Sequence, residues 1–306
     1  MSNRVTIDVH QHLWPEPLLA ALAARRRAPR LVRTPSGWEL RLDTEPPSPL
    51  SLPDHDPARR GALVYADGLD RALVALSSPL GIEALPAGEA EPLLAAYHDG
   101  VRALGAPFGW WGAVGLETAD PDAADALLDA GAVGISLPAG ALASRRGLVR
   151  MAPLLERVAA RRAPVFVHPG PVAAPAELAA PVWWPALTSY VTQMHTAWHA
   201  FLAWGRGEHD ALDVVWAMLA GGAPLHVERL AARGGERGHD AASFYDVSSY
   251  GPRTVDAMVR AVGIEQLVLG SDRPVAAPPD LTALGDAFAA ELREGGPAGL
   301  RADMVA

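Results

Sequence analysis

The feature that most constrains this sequence is a repeated alternation of short apolar runs with longer amphipathic stretches. The apolar runs fall at about 5–14, 72–76, 108–114, 132–137, 164–168, 212–219, 244–248 and 266–272. Between them, helical patterning covers about 15–27, 56–67, 89–104, 120–130, 148–162, 186–204, a stretch from about 224, and 253–263. Strands that are apolar at every position are buried on both faces, the condition of a parallel sheet covered by helices. Eight such units in order predict an α/β chain closed into a (β/α)8, or TIM, barrel. The competitor is a doubly wound open sheet. Its nucleotide-binding form carries a Gly-rich phosphate turn, and no strand here is followed by one. A length of 306 residues equals about two average domains. One barrel commonly exceeds ~250 residues, so a single barrel domain over 1–306 is expected.

Residues 31–53 break the alternation. The turn Pro35-Ser36-Gly37 precedes Trp38-Glu39-Leu40-Arg41-Leu42, which alternates like a strand, and a small β-hairpin inserted after strand one is expected. The run Pro46-Pro47-Ser48-Pro49 then returns the chain to the main body, leaving the insertion over one end of the core. Asp120 before Pro121 reads as a helix N-cap. The tail over 280–306 reads as helical, packed across the outside of the barrel.

Composition excludes several chemistries. Half the residues are hydrophobic and the formal charge is −9, which supports a large core and argues against nucleic acid as partner. There is no Cys, which removes disulfides, thiolate nucleophiles and Cys-ligated zinc. There is no Lys either, all 26 residues of the Lys and Arg class being Arg, so Schiff-base chemistry and a metal pair bridged by carboxylated lysine are impossible. No apolar run reaches ~18 residues and the N-terminus enters a strand at once. A cytoplasmic protein acting on a small molecule, with no membrane or nucleic-acid partner, is the simplest expectation.

The strand ends carry the chemistry. His10 and His12 are two residues apart on strand one, so both imidazoles leave the same face. His168 closes strand five and Asp272 closes strand eight, at the end of a barrel where active sites lie. Three imidazoles and a carboxylate suit one Zn²⁺, or less selectively Mn²⁺, Fe²⁺ or Co²⁺.

Three separated segments, Ile7-Asp8-Val9-His10-Gln11-His12, Phe166-Val167-His168-Pro169-Gly170 and Leu269-Gly270-Ser271-Asp272-Arg273-Pro274, resemble the amidohydrolase superfamily. The branch they look most like is the amidohydrolase-2 group, which includes the aminocarboxymuconate-semialdehyde decarboxylase-like enzymes. The likeness spans nearly the whole chain and implies a mononuclear divalent metal, usually zinc, held by His10, His12, His168 and Asp272. It also implies that Asp272 acts as the catalytic base, and family members are commonly homodimers. One motif departs: Leu219-Ala220-Gly221-Gly222 places Ala220 where the family has a strand-six histidine. That loss favours hydrolysis of an amide, lactone or related bond over the alternative, non-oxidative decarboxylation of an aromatic or unsaturated carboxylate. A non-catalytic barrel kept for binding is a third option.

Candidates to replace the lost imidazole are His195, His199 and His226, of which His195 follows the long 169–185 loop and ranks first as a second catalytic group. His55, His98, His209 and His239 carry no signal. Arg273, where the family more often has an aromatic residue, and Arg253 are candidates to grip a substrate carboxylate. Trp183 and Trp184 are candidates to cover a flat ring.

Overall fold

The computed structural model describes residues 5–43, 45–172, 181, 183–236, 240–297 and 300. The eight barrel strands are β1 (Ile7–Gln11), β2 (Arg71–Val74), β3 (Phe108–Trp110, continued by Gly112–Ala113), β4 (Ile135–Pro138), β5 (Val165–His168), β6 (Val214–Trp216), β7 (Ser243–Asp246) and β8 (Leu267–Val268). Every neighbouring pair among them is parallel. β3 is kinked at Trp111, its first part pairing with β2 and its second with β4. Closure comes just past β8, where the Val9 N–H donates to the Leu269 carbonyl at 2.9 Å and the Asp272 N–H to the His10 carbonyl at 2.9 Å. The expected (β/α)8 barrel is therefore the fold.

Burial of both strand faces explains the uninterrupted apolar runs. Val165, Phe166 and Val167 of β5 and Val214, Val215 and Trp216 of β6 have no exposed surface. Trp111 stacks on Phe166 at 5.2 Å between ring centres, and its indole N–H donates to the Val9 carbonyl at 3.0 Å. This packed layer is the floor on which the strand-end residues stand.

The connecting helices begin where polar caps and prolines permit. Asp56 and Asp120 each accept a backbone N–H in the first turn of the Pro57–Ala66 and Pro121–Asp129 helices. The inserted element is larger than a hairpin. Arg30–Thr34, Gly37–Arg41 and Ser48–Leu50 form a three-stranded antiparallel sheet. The Pro-rich return supplies its third strand, an edge position, where a missing N–H does least harm. A 3-10 turn, Leu52–His55, then leads back to the barrel.

After β6 the expected helix from about 224 is replaced by a tight segment, Ala217–His226, before the short helix Val227–Ala231. The tail is helical at Thr282–Leu284 and Asp286–Glu294, with Leu292 buried, and its last part lies outside the described residues. No described helix is long and apolar enough to cross a membrane.

Candidate metal centre

β1 ends with His10 and His12 on one face, and the barrel brings His168 and Asp272 to them. His12 Nε2 lies 3.2 Å from the Nε2 atoms of both His10 and His168. Asp272 Oδ1 lies 3.4 Å from His10 Nε2 and 3.3 Å from His12 Nε2. Among the described residues this is the group of potential metal ligands whose donor atoms all fall within 4.8 Å of one another.

The other ring nitrogens fix what these four atoms can be. His12 Nδ1 is 2.9 Å from the Ala75 carbonyl and His168 Nδ1 is 2.7 Å from the Pro169 carbonyl. His10 Nδ1 is 2.7 Å from Asp246 Oδ2. Carbonyls and carboxylates only accept, so each Nδ1 carries a hydrogen, and Nε2 is the nitrogen that each ring can offer to a cation. Asp272 Oδ1 is likewise buried without a hydrogen-bond partner. Four donor atoms facing one point repel one another unless a cation, a proton or a metal ion, lies between them. The four pairs at 3.2–3.4 Å are spaced as donors each ~2.0–2.1 Å from a shared centre would be. The donor set therefore fits a divalent metal ion.

Surrounding residues hold this arrangement. Asp272 has a left-handed backbone, φ 57°, rare for a residue with a side chain, and this turn aims its carboxylate at the imidazoles. Burial would raise its pKa, but the neighbouring histidines, His10 first, bring it down to about 2. Asp246 is fully buried, its second oxygen accepting the Ser248 N–H at 2.6 Å. Gly270 makes room for it, since a Cβ there would sit 2.6 Å from the Asp246 Cγ. Asp8 accepts the N–H groups of His10 at 3.1 Å and Ser271 at 3.0 Å, tying β1 to the turn that carries Asp272. Arg60 donates to the His12 and Asp54 carbonyls at 2.9 and 3.0 Å, and also to Gln11 Oε1.

Above the centre opens a cavity of about 650 Å³. His10, His12, His168 and Asp272 form its floor, and the inserted sheet, the Ser189–Trp204 helix and the turns after β6, β7 and β8 form its walls. Most wall residues are apolar. The exceptions include Glu45, Asp54, His55, Ser77, Tyr190 and Ser248. His55, which carried no signal in the sequence, stacks on Trp14 at 4.9 Å and accepts the Trp14 N–H at Nδ1. Burial and then Arg60 hold its pKa down to about 4.

Several expected participants lie elsewhere. His195 does not reach the centre. With His199 and His226 it lines a separate shallow cleft, its ring 4.6 Å from His199 and 5.1 Å from His226. Arg273 turns its guanidinium to Asp67 at 2.7 Å, while its backbone accepts the His12 N–H at 2.7 Å to close the barrel. Arg253 sits exposed on the first turn of the Pro252–Val262 helix, outside the cavity lining. Trp183 and Trp184 are 56% and 40% exposed and pack on each other rather than over the cavity, which Pro185, Ala186 and Leu187 line instead. Ala220 is buried away from the cavity, and the residues that face it after β6 are Ala217 and Met218. His239 lies outside the described residues.

The sequence matches no protein-family model and no curated protein. Solved structures do match. The IDCase of Metarhizium anisopliae, in apo form, aligns with a TM-score of 0.75 at 19% identity, over 99% of this chain and 96% of that one. A 2,6-dihydroxybenzoate decarboxylase bound to 2,6-dihydroxybenzoate aligns with a TM-score of 0.64 at 17% identity, over 97% of this chain and 98% of that one. A 5-carboxyvanillate decarboxylase of Novosphingobium aromaticivorans, with manganese and 4-hydroxy-3-methoxy-5-nitrobenzoic acid, aligns with a TM-score of 0.66 at 14% identity, over 98% of this chain and 93% of that one. The resemblance to amidohydrolases read from three short motifs is thus met across nearly the whole chain by a shared barrel fold.

Proposed function

We propose that this chain is a metal-dependent carboxy-lyase that releases CO2 from an aromatic or unsaturated carboxylic acid without an oxidant. In this reading His10, His12, His168 and Asp272 hold one divalent ion. Zn²⁺ and Mn²⁺ both suit the donors. The observation that carries the proposal is the convergence of four donor atoms beneath a mainly apolar cavity. Two of the structures that share the fold are decarboxylases of aromatic acids, which supports the same chemistry here. The hydrolase expectation rested on the missing strand-six imidazole alone and ranks second.

A bound divalent ion would supply positive charge that holds and polarises an acidic oxygen of the substrate. The chain's own residues do the rest. The apolar walls exclude water and destabilise a free carboxylate relative to neutral CO2. Asp272 is anionic at neutral pH, so it accepts the proton of the substrate's acid group. It then passes that proton to the ring carbon that bears the carboxylate. The electron pair of the breaking carbon–carboxylate bond returns to the ring, and CO2 leaves. The balance is closed: one acid gives one arene and one CO2.

The test is turnover of the metal-loaded protein in D2O and, separately, in H2¹⁸O, with a panel of hydroxylated and amino-substituted benzoic acids beside amide and lactone analogues. Deuterium in the arene together with released CO2 is expected. Incorporation of ¹⁸O into an amide or lactone product, with no CO2 from any acid, would replace the carboxy-lyase by the hydrolase.

A further inference from the structure

The charges around the cavity are one-sided. No Arg lines it among the described residues, and the chain has no Lys to offer. Three carboxylates do line it: Asp272 on the floor, Asp54, and Glu45. Asp54 is 42% exposed and has Arg59 3.8 Å away. Glu45 has no cation partner among the described residues. It follows the second strand of the inserted sheet, and its Oε1 accepts a short hydrogen bond from the Tyr190 hydroxyl on the first turn of the Ser189–Trp204 helix. Its Oε2 has no hydrogen-bond partner among the described residues.

That arrangement commits the Tyr190 donor. The Tyr190 hydrogen is spent on Glu45, so a ligand arriving at this corner meets acceptor lone pairs and negative charge. Tyr190 also feels the charge of Asp272, which puts the corner and the floor in one shared space. Burial raises the Glu45 pKa, the mark of a carboxylate short of compensation. Leu40, Leu50, Pro185, Leu187 and Val191 supply flat apolar walls for a ring.

We propose that Glu45 and Tyr190 form a substrate subsite that takes a nitrogen donor, an amino or protonated amine group on the ring, and rejects a second carboxylate. The site would then accept amino-substituted aromatic monoacids and turn away dicarboxylates, the opposite of what an Arg grip would select. The selectivity rests on the reading of the cavity as an aromatic-acid site. The floor holds the reacting carboxylate, and the carboxylate of Glu45 accepts the N–H groups. A hydrogen bond assisted by a charge corresponds to about tenfold or more in affinity.

The experiment is calorimetric binding to the metal-loaded protein, independent of turnover. The ligands are benzoate, 3- and 4-aminobenzoate, isophthalate and terephthalate. Wild type is compared with Glu45→Gln and Tyr190→Phe, each checked for folding by thermal unfolding. The better aminobenzoate is expected to bind at least about tenfold tighter than either dicarboxylate in wild type. Glu45→Gln should shrink that ratio to within about threefold, while Tyr190→Phe, which leaves the carboxylate in place, should keep it. If benzoate binds and the wild-type ratio is near one, or Glu45→Gln leaves the ratio unchanged, the subsite is wrong and the aromatic-acid reading stands. If none of these acids binds the wild type, both fall together.

Discussion

Asp246→Asn tests the centre at its least obvious support. Asp246 serves two donors at once, His10 Nδ1 at 2.7 Å and the Ser248 N–H at 2.6 Å, from a fully buried position. Asparagine has one acceptor oxygen for those two donors. If the oxygen stays with Ser248, the amide NH2 faces His10 Nδ1 donor to donor. His10 must then move its hydrogen to Nε2, where the inward lone pair is needed. If the oxygen turns to His10, the buried Ser248 N–H is stranded at a cost of about 1–3 kcal/mol. Loss of such a supporting carboxylate typically weakens metal binding about 10–100-fold, or ~1.4–2.7 kcal/mol. The assay is competition between protein and a chromophoric chelator for Zn²⁺ and for Mn²⁺, with urea unfolding of the metal-free forms as the control. Gly270→Ala gives an independent approach, because its Cβ would meet the Asp246 carboxylate oxygens at 2.8 and 2.9 Å and displace them. Gly270 is not in the left-handed region, so contact rather than backbone strain is what this substitution adds. Metal affinities within twofold of wild type in both variants would refute the assignment of His10's tautomer.

Three more outcomes follow from the same contacts. Arg60→Ala strands the carbonyls of His12 and Asp54 and should cost about 1–3 kcal/mol for each in urea unfolding, with Arg60→Lys recovering only part because a point charge cannot replace the fork. Glu83 is fully buried, and burial raises its pKa to about 7. Its folded value lies above the unfolded one, so its own contribution to stability is greatest below about pH 4.5 and declines as pH rises through about 7, by about 3 kcal/mol in all. Glu83→Gln should flatten that slope, and equal slopes in wild type and variant would contradict it. Asp272→Asn should cut CO2 release by about 10²–10⁴-fold, measured with metal content held equal.

What the sequence disclosed followed from how strongly each residue type is constrained. Buried parallel strands forbid polar side chains along their length, so the runs stood out, and so did His10, His12, His168 and Asp272 at their ends. Asp246 ends β7 in the same way but has no motif around it, and its neighbours gave it no role. Asp8 left a usable trace, a carboxylate in the middle of an apolar strand, which is affordable only when backbone N–H groups surround it. Arg60 left none, since Arg59-Arg60 on an amphipathic helix looks like a solvated face. His195 was misplaced by helical geometry. The cavity is lined by Tyr190 and Val191, and five residues on from Tyr190 a helix has turned about 140° and advanced ~7.5 Å. The role of the insertion was hidden too, because its third strand, Ser48–Leu50, and the Glu45, Asp54 and His55 that flank it line the cavity only in the folded sheet.

The exit of β6 shows why that strand contributes nothing to proton chemistry in the cavity. Met218, Leu219, Ala220, Gly221 and Gly222 run through consecutive left-handed conformations, φ 44° to 75°. For the three that are not glycine this costs roughly 1–2 kcal/mol each. The turn is pinned from outside, since Gly221 lies so close to the Ser189–Trp204 helix that a Cβ would come within 2.6 Å of the Val191 carbonyl. The result is that β6 offers the cavity Ala217 and Met218, neither of which can move a proton. Two nearby polar groups are already committed: His55 Nδ1 to the Trp14 N–H, so that its remaining nitrogen is a donor, and the Tyr190 hydroxyl to Glu45. Asp272 keeps an acceptor oxygen free beside the imidazoles, on a backbone that is itself left-handed. Backbone strain therefore appears on both sides of the cavity, where one strand end has given up its side-chain chemistry and another has concentrated it. On this account no side chain of β6 takes over in the Asp272→Asn variant, and its residual rate should show no histidine titration near about pH 6.5.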